Sequence, residues 1–170
     1  TMTDVESLPA LDLERYLGPW FEIARLPMRW EDDKATCVTA HYTMNDNGTV
    51  RVGNRCYDED GKPVQSIGRA KPVEGEPAQL RVSFMPELLR WMPFTEGDYW
   101  VLKIDENYKH ALVGTPDHKN LWLLARTSTI DPEIEREFLD HATAQGFDLT
   151  SLIRPRQDGR SVSSDELEES

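Results

Sequence analysis

Eight short runs of strand-like residues, each closed by turn chemistry, constrain this chain more than any other feature. They read Trp20–Leu26, Cys37–Met44, Thr49–Tyr57, Val64–Lys71, Gln79–Phe84, Gly97–Asp105, His110–Thr115 and Leu121–Thr127. Runs rich in β-branched and aromatic residues with regularly spaced turn signals indicate an all-β sandwich or barrel. Asn45-Asp46-Asn47-Gly48 is the strongest hairpin signal, because Asn and Gly tolerate the positive φ of such turns. Eight strands joined by hairpins leave two open edges unless the sheet closes on itself. The expectation is therefore an eight-stranded antiparallel up-and-down barrel. A single helix of any length follows: Asp131 caps it, Pro132 takes its first position and Gly146 ends it. Ile134, Phe138 and Ala142 recur on one stripe, so this helix packs against the outside of the barrel. Leu11 to Leu17 reads as a short helical turn at the base, with Asp12 as its N-cap.

Bulk properties exclude several functions. The chain has 170 residues, about one domain, and is 38% apolar and 29% charged, a globular composition. Its net charge of -12 offers no basic stripe for nucleic acid and no attraction to anionic headgroups. No apolar run reaches the roughly 20 residues of a spanning helix. The chain divides into a tail (1–10), a barrel domain (11–155) and an acidic tail (156–170) expected to be disordered.

Choosing between a filled and a hollow barrel depends on the inward positions. Alternation puts Ser66, Gly68 and Ala70 on one face of the fourth run, and small residues there suit a cavity wall. Large aromatics (Tyr42, Trp100, Trp122) alternate with them elsewhere. In the sixth run, Trp100, Leu102 and Ile104 lie opposite Tyr99, Val101, Lys103 and Asp105. Connections at 27–36, 58–63, 85–96 and 116–120 share one end, the longer set and the expected mouth. Loop 85–94 carries Leu88, Leu89, Trp91, Met92 and Phe94 between two prolines, more apolar than a solvated loop requires. Four roles stay open for it: covering the mouth, touching a membrane surface, forming a weak homodimer contact, or packing on the barrel's own rim.

Three blocks carry a resemblance. Gly18-Pro19-Trp20-Phe21-Glu22-Ile23-Ala24-Arg25, Gly97-Asp98-Tyr99-Trp100-Val101-Leu102 and Leu121-Trp122-Leu123-Leu124-Ala125-Arg126-Thr127 stand in the order and separation of the three lipocalin blocks. Over residues 10–155 the chain resembles lipocalins of the bacterial outer-membrane lipoprotein type and their apolipoprotein D relatives. The resemblance implies that Gly18, Trp20 and Arg126 are structural, with the Arg126 guanidinium packed across Trp20. It implies a small lipophilic ligand, a fatty acid or lysophospholipid, and no cofactor or metal. The expected cavity wall and mouth comprise Ala40, Tyr42, Val52, Asn54, Gly68, Leu80, Val82, Phe84, Trp91, Phe94, Trp100, Leu102, Trp122 and Leu124. Trp30 is a further aromatic expected near the mouth. Arg51, Arg69 and Arg81 meet a ligand carboxylate only if they lie close to the rim.

Cys37 and Cys56 fall on adjacent expected strands, equally far from the hairpin turn, so a cross-strand disulfide is one reading. Two separate buried thiols are the other, since alternation turns Cys37 outward and Cys56 inward. The four histidines are scattered, and no nucleophile–base pair or metal spacing is visible. The sequence thus reads as a carrier and not an enzyme, a monomer or weak homodimer. Its rivals are an interaction module using loop 85–94 and a minor lipocalin-type enzyme. The resemblance places it in the cell envelope; a native start at Met2 instead places it in the cytoplasm.

Overall fold

In the computed structural model, residues 4–27, 34–84 and 96–169 are described. After a one-turn helix α1 (Leu13–Tyr16), eight strands follow: β1 (Gly18–Arg25), β2 (Thr36–Met44), β3 (Val50–Tyr57), β4 (Pro63–Pro72), β5 (Gln79–Phe84), β6 (Glu96–Ile104), β7 (His110–Gly114) and β8 (Leu121–Ala125). Each strand pairs with the next and β8 returns to β1, closing the barrel that the turn pattern predicts. Helix α2 (Pro132–Ala144) and a short α3 (Ser164–Glu169) complete the chain. The Asp131 carboxylate accepts from the Glu133 N–H, so α2 begins at the cap its sequence indicates. The hairpin turn at Gly48 has a positive φ, as does Gly18, where the chain swings from α1 into β1.

Two apolar clusters share the wall. Inside the barrel lie Trp20, Tyr42, Val50, Val52, Leu80, Val82, Val101, Val113 and Leu124. Outside, Leu102, Leu112, Leu121 and Leu123 pack against Phe138 and Ala142 of α2 and against Phe147. Each such buried side chain contributes about 1.5–3 kcal/mol, so both faces of this side of the barrel are strongly stabilised.

Three β-bulges redirect side chains. Register shifts occur between Glu22 and Ala24, between Thr36 and Thr39, and between Val101 and Lys103. In β6 the inward residues are Tyr99 and Val101, and the bulge turns Ile104 inward as well. Trp100 and Leu102 therefore face the outer cluster, not the cavity wall expected of them. Both faces of β6 are buried, so its alternation carries no sign of which is inside.

The two tails differ from expectation. Val5 is buried in the outer cluster, and the Leu8 N–H donates to Val101 O. The last segment runs as a strap over the barrel's outside. Ile153 bridges Arg25, and the Cys37 N–H donates to Arg156 O. The Gln157 amide Nε2 donates to both Glu22 O and Val38 O, spanning β1 and β2 beyond their last paired residues, Phe21 and Thr39. Val162 is buried beside Tyr57, and Glu166 of α3 accepts from the Tyr57 hydroxyl. Those apolar and polar anchors order residues 156–169, which composition alone marks as a solvated acidic tail.

Cys37 and Cys56 form no disulfide. The bulge at the start of β2 sets Cys37 at φ 53 and turns its thiol outward, where it lies with Tyr57 and Val162 and donates to Asp158. Cys56 shares the inward face of Val52. The two sulfurs are on opposite sides of the wall, and no bridge crosses it.

Candidate functional site

The base of the barrel is sealed by aromatic rings. The Trp20 indole is wholly buried, its Nε1–H donating to Tyr16 O, and the Arg126 guanidinium lies 3.7 Å from the ring centroid. Arg126 also donates to the carbonyls of Tyr108, Pro19, Arg15 and Tyr16. Thus α1, β1 and the end of β8 are tied at one cation.

Above Trp20, Tyr16, Tyr42 and Tyr99 meet across the interior, with ring centroids 5.7–6.4 Å apart. The Tyr99 hydroxyl donates to Tyr42 at 2.8 Å, so the Tyr16 hydroxyl is the donor to Tyr99. Burial holds all three hydroxyls well above the usual phenol range, which keeps them protonated donors. The cavity beneath them, lined by Leu13, Leu17, Val50, Ala70 and Leu80 among others, has room for about one water. This lower half is filled by the protein's own side chains.

The upper half differs. Inward positions of the lower barrel are buried, whereas Asn54, Cys56, Val64, Ser66, Phe84, Tyr99 and Trp122 are inward yet half-buried. Register fixes their common face: Asn54 pairs with Ala40 and Ser66, Cys56 with Val64, and Gly68 with Val52 and Phe84. Inward side chains that keep exposure enclose a cup open toward the mouth. Its floor is Tyr99 stacked on Trp122, centroids 6.4 Å apart.

Expected site residues thus separate by level. Asn54, Phe84 and Trp122 face the cup. Ala40, Tyr42, Val52, Leu80, Val82 and Leu124 are buried in the packed interior cluster, with Ala40 level with Asn54 across the β2–β3 pair. Gly68 does not leave open volume: a Cβ there would stand 2.9 Å from the Phe84 ring, which already occupies the space. Trp100 and Leu102 are outside the barrel. Trp30, Trp91, Phe94 and the loop 85–94 lie outside the described residues. Arg69 and Arg81 are exposed, and Arg51 pairs across from Arg69, so these three lie on the outer face.

Sequence reasoning missed a charged pair. Glu22 pairs across from inward Leu124, and Arg25 from inward Trp122. The bulge at Ile23 brings both to the inner face, where the Arg25 Nη1 meets Glu22 Oε2 at 3.1 Å with Arg25 wholly buried. The available signal was that Glu22 shares parity with inward Trp20. Among the described residues, no cluster of His, Cys, Asp or Glu is arranged to hold a metal ion.

This geometry defines a class, a closed antiparallel β-cup with a sealed base and a helix docked outside. The chain belongs to the lipocalin family: the Lipocalin-like domain model matches residues 11–157. It is 43% identical over 151 residues to outer membrane lipoprotein Blc of Escherichia coli (strain K12), covering 87% of this chain and 80% of the relative. It is 37% identical over 157 residues to temperature-induced lipocalin-1 of Arabidopsis thaliana (91% and 83% covered). Mouse apolipoprotein D (Mus musculus) is 34% identical over 153 residues (86% and 77%). Among solved structures, insecticyanin from the tobacco hornworm Manduca sexta superposes with a TM-score of 0.70 over 98% of this chain and 88% of that one, at 18% identity. That last likeness concerns the fold alone.

Proposed function

We propose that this lipocalin binds one small lipophilic ligand in the cup above the Tyr99–Trp122 floor, as a carrier or store and not as an enzyme. The observation that carries the reading is the half-buried state of inward Phe84, Val64 and Trp122, apolar surface that a closed core would cover. Eight-stranded barrels of this family are wide enough for one such ligand. A lipid with a polar end, a fatty acid or lysophospholipid, suits a wall that mixes these residues with Asn54 and Ser66. Likeness to the bacterial outer membrane lipoproteins supports a place in the cell envelope. Loop 85–94 is the segment proposed for contact with a membrane surface or a second copy. A titration with a fluorescent fatty acid tests the reading. One-to-one quenching of tryptophan fluorescence, weakened by Trp122→Ala, is expected; absence of quenching with any single-chain lipid overturns it.

A further inference from the structure

Net charge gives this chain no attraction for anionic headgroups, but the charge is unevenly placed on the barrel. With 19 Lys and Arg against 31 Asp and Glu, a random group of neighbouring surface charges is acidic or mixed. On the outer face of β3, β4 and β5 it is basic. Arg51 stands directly across from Arg69, and Lys71 directly across from Arg81. The two pairs occupy neighbouring outward rows toward the base, a block about 10 Å across the strands and about 7 Å along them. Like charges directly opposed on a sheet are destabilising, so a merely solvated face gains nothing from this register. The sheet eases the repulsion at Gly53: a Cβ there would stand 3.1 Å from Arg51 Nη1, so the guanidinium lies over the glycine, one row away from Arg69. Arg81 pairs with Asp98 at 2.6 Å, whereas Arg51, Arg69 and Lys71 have no carboxylate partner among the described residues. Arg69 and Lys71 are exposed and Arg51 is half-buried. Asp98 and Glu96 of β6 border the block on one side. Toward the mouth it ends at Ile67, beyond which Arg55 holds the start of the acidic α3 through Val162 O and Ser164 Oγ.

We propose that this face docks the barrel on an anionic phospholipid bilayer, with Arg51, Arg69 and Lys71 set against lipid phosphates. The block is the outside of a barrel wall, without sides to enclose a single ion. A plane of headgroups instead offers it several phosphates at once, and arginine edges suit phosphate oxygens. Its outward neighbours Thr43, Ile67 and Ser83 include no aromatic ring, so a single nucleic-acid strand finds nothing there to stack on. The acidic residues of α2 do not cancel the attraction. That helix packs on the β6–β8 wall across the barrel, beyond a Debye length of about 8 Å at physiological ionic strength. The carboxylates of α3 are nearer and set the orientation: the base half of the face is drawn down and the α3 end is pushed off. This docking is independent of whether the cup holds a lipid.

Co-sedimentation of the full chain with vesicles decides it, using phosphatidylcholine alone and an equal mixture with phosphatidylglycerol. Binding to the mixed vesicles only, lost as salt rises from about 0.05 M to about 0.5 M, is expected. No binding overturns the proposal. The double variant Arg69→Glu, Lys71→Glu should weaken binding at least about ten-fold. It sets opposite charges across from Arg51 and Arg81, so the fold is not weakened by it, and circular dichroism checks this. The variant Lys119→Glu, Arg136→Glu changes net charge equally at exposed positions off this face, and should weaken binding less than about two-fold. Equal losses from the two variants would make net charge the cause and overturn the assignment to this face. Binding that survives both salt and Arg69→Glu, Lys71→Glu belongs to an apolar contact such as loop 85–94, and overturns it too. Self-association in sedimentation that this variant abolishes, without vesicle binding by the parent, gives the face to the acidic α3 of a second copy and likewise overturns the bilayer.

Discussion

Arg126 stacks its guanidinium on the Trp20 indole, 3.7 Å from the ring centroid, with residues far apart in sequence joined at the barrel's base. A planar cation suits this place because its face satisfies the indole quadrupole while its edge donates to carbonyls of α1, β1 and the β6–β7 turn. Arg126→Ala is expected to cost about 3 kcal/mol, since it removes the stacking and leaves several carbonyls without donors. Arg126→Lys should recover less than half, because an ammonium lacks the fork. Urea unfolding of the three proteins checks this, and a lysine variant as stable as the parent would refute the geometric argument.

Gly68 is filled by its neighbour. A Cβ there would lie 2.8 Å from the Ser83 carbonyl oxygen and 2.9 Å from Phe84 Cδ1. The ring can rotate away but the backbone oxygen cannot, so Gly68→Val is expected to destabilise by about 1–3 kcal/mol. It should also displace Phe84 into the cup and weaken the lipid binding proposed for it. A Gly68→Val protein with parental stability and affinity would show that β4 and β5 yield more easily than their pairing implies.

Acid should loosen the turn before β7. Burial pushes the Asp105 carboxyl up, but hydrogen bonds from the His110 ring and from the N–H groups of Lys109 and His110 outweigh it and hold it below the usual range. A carboxylate with its folded pKa lowered stabilises the fold above the unfolded value of about 3.9, and that contribution is lost as pH falls through the folded pKa. Asp105→Asn should therefore reduce stability at neutral pH and make the urea midpoint less sensitive to pH in the acid range below about 4. An identical acid dependence in parent and variant would locate the effect elsewhere, with Asp117 the next candidate, its carboxylate also lowered by hydrogen bonds that outweigh its burial.

How much of this was legible in the residues follows from where two-sided burial sets in. Turn chemistry such as Asn47-Gly48 and the cap at Asp131 acts locally, so the strand order and α2 could be read directly. The faces of β6 could not. Trp100 and Val101 are both screened from solvent, one by the outer cluster and one by the interior, and hydrophobicity does not distinguish them. Bulges are equally silent: nothing in Glu22-Ile23-Ala24-Arg25 announces that Ile23 is the extra residue which turns Arg25 inward. The strap was hidden for another reason. Its hold comes from single contacts, Gln157 to two carbonyls and Val162 to Tyr57, set in a segment whose average composition is acidic and polar.

That strap gives the sharpest test of order at the C-terminus. Cys37 is 1% exposed, and burial together with its bond to Asp158 raises its thiol pKa, so both access and thiolate fraction are low. Asp158, Val162 and α3 supply the cover. Removing residues 158–170 while keeping Gln157 leaves the span between Glu22 and Val38 in place and uncovers the sulfur. In a Cys56→Ser background, Cys37 of the shortened chain should react with a maleimide at least about ten-fold faster than in the full chain, without loss of the barrel by circular dichroism. In the full chain with both cysteines, alkylation in denaturant without reductant should add two groups, as expected of two thiols. Equal maleimide rates would mean that the strap lifts freely in solution, and a mass showing no alkylation would mean that the sulfurs had found each other after all.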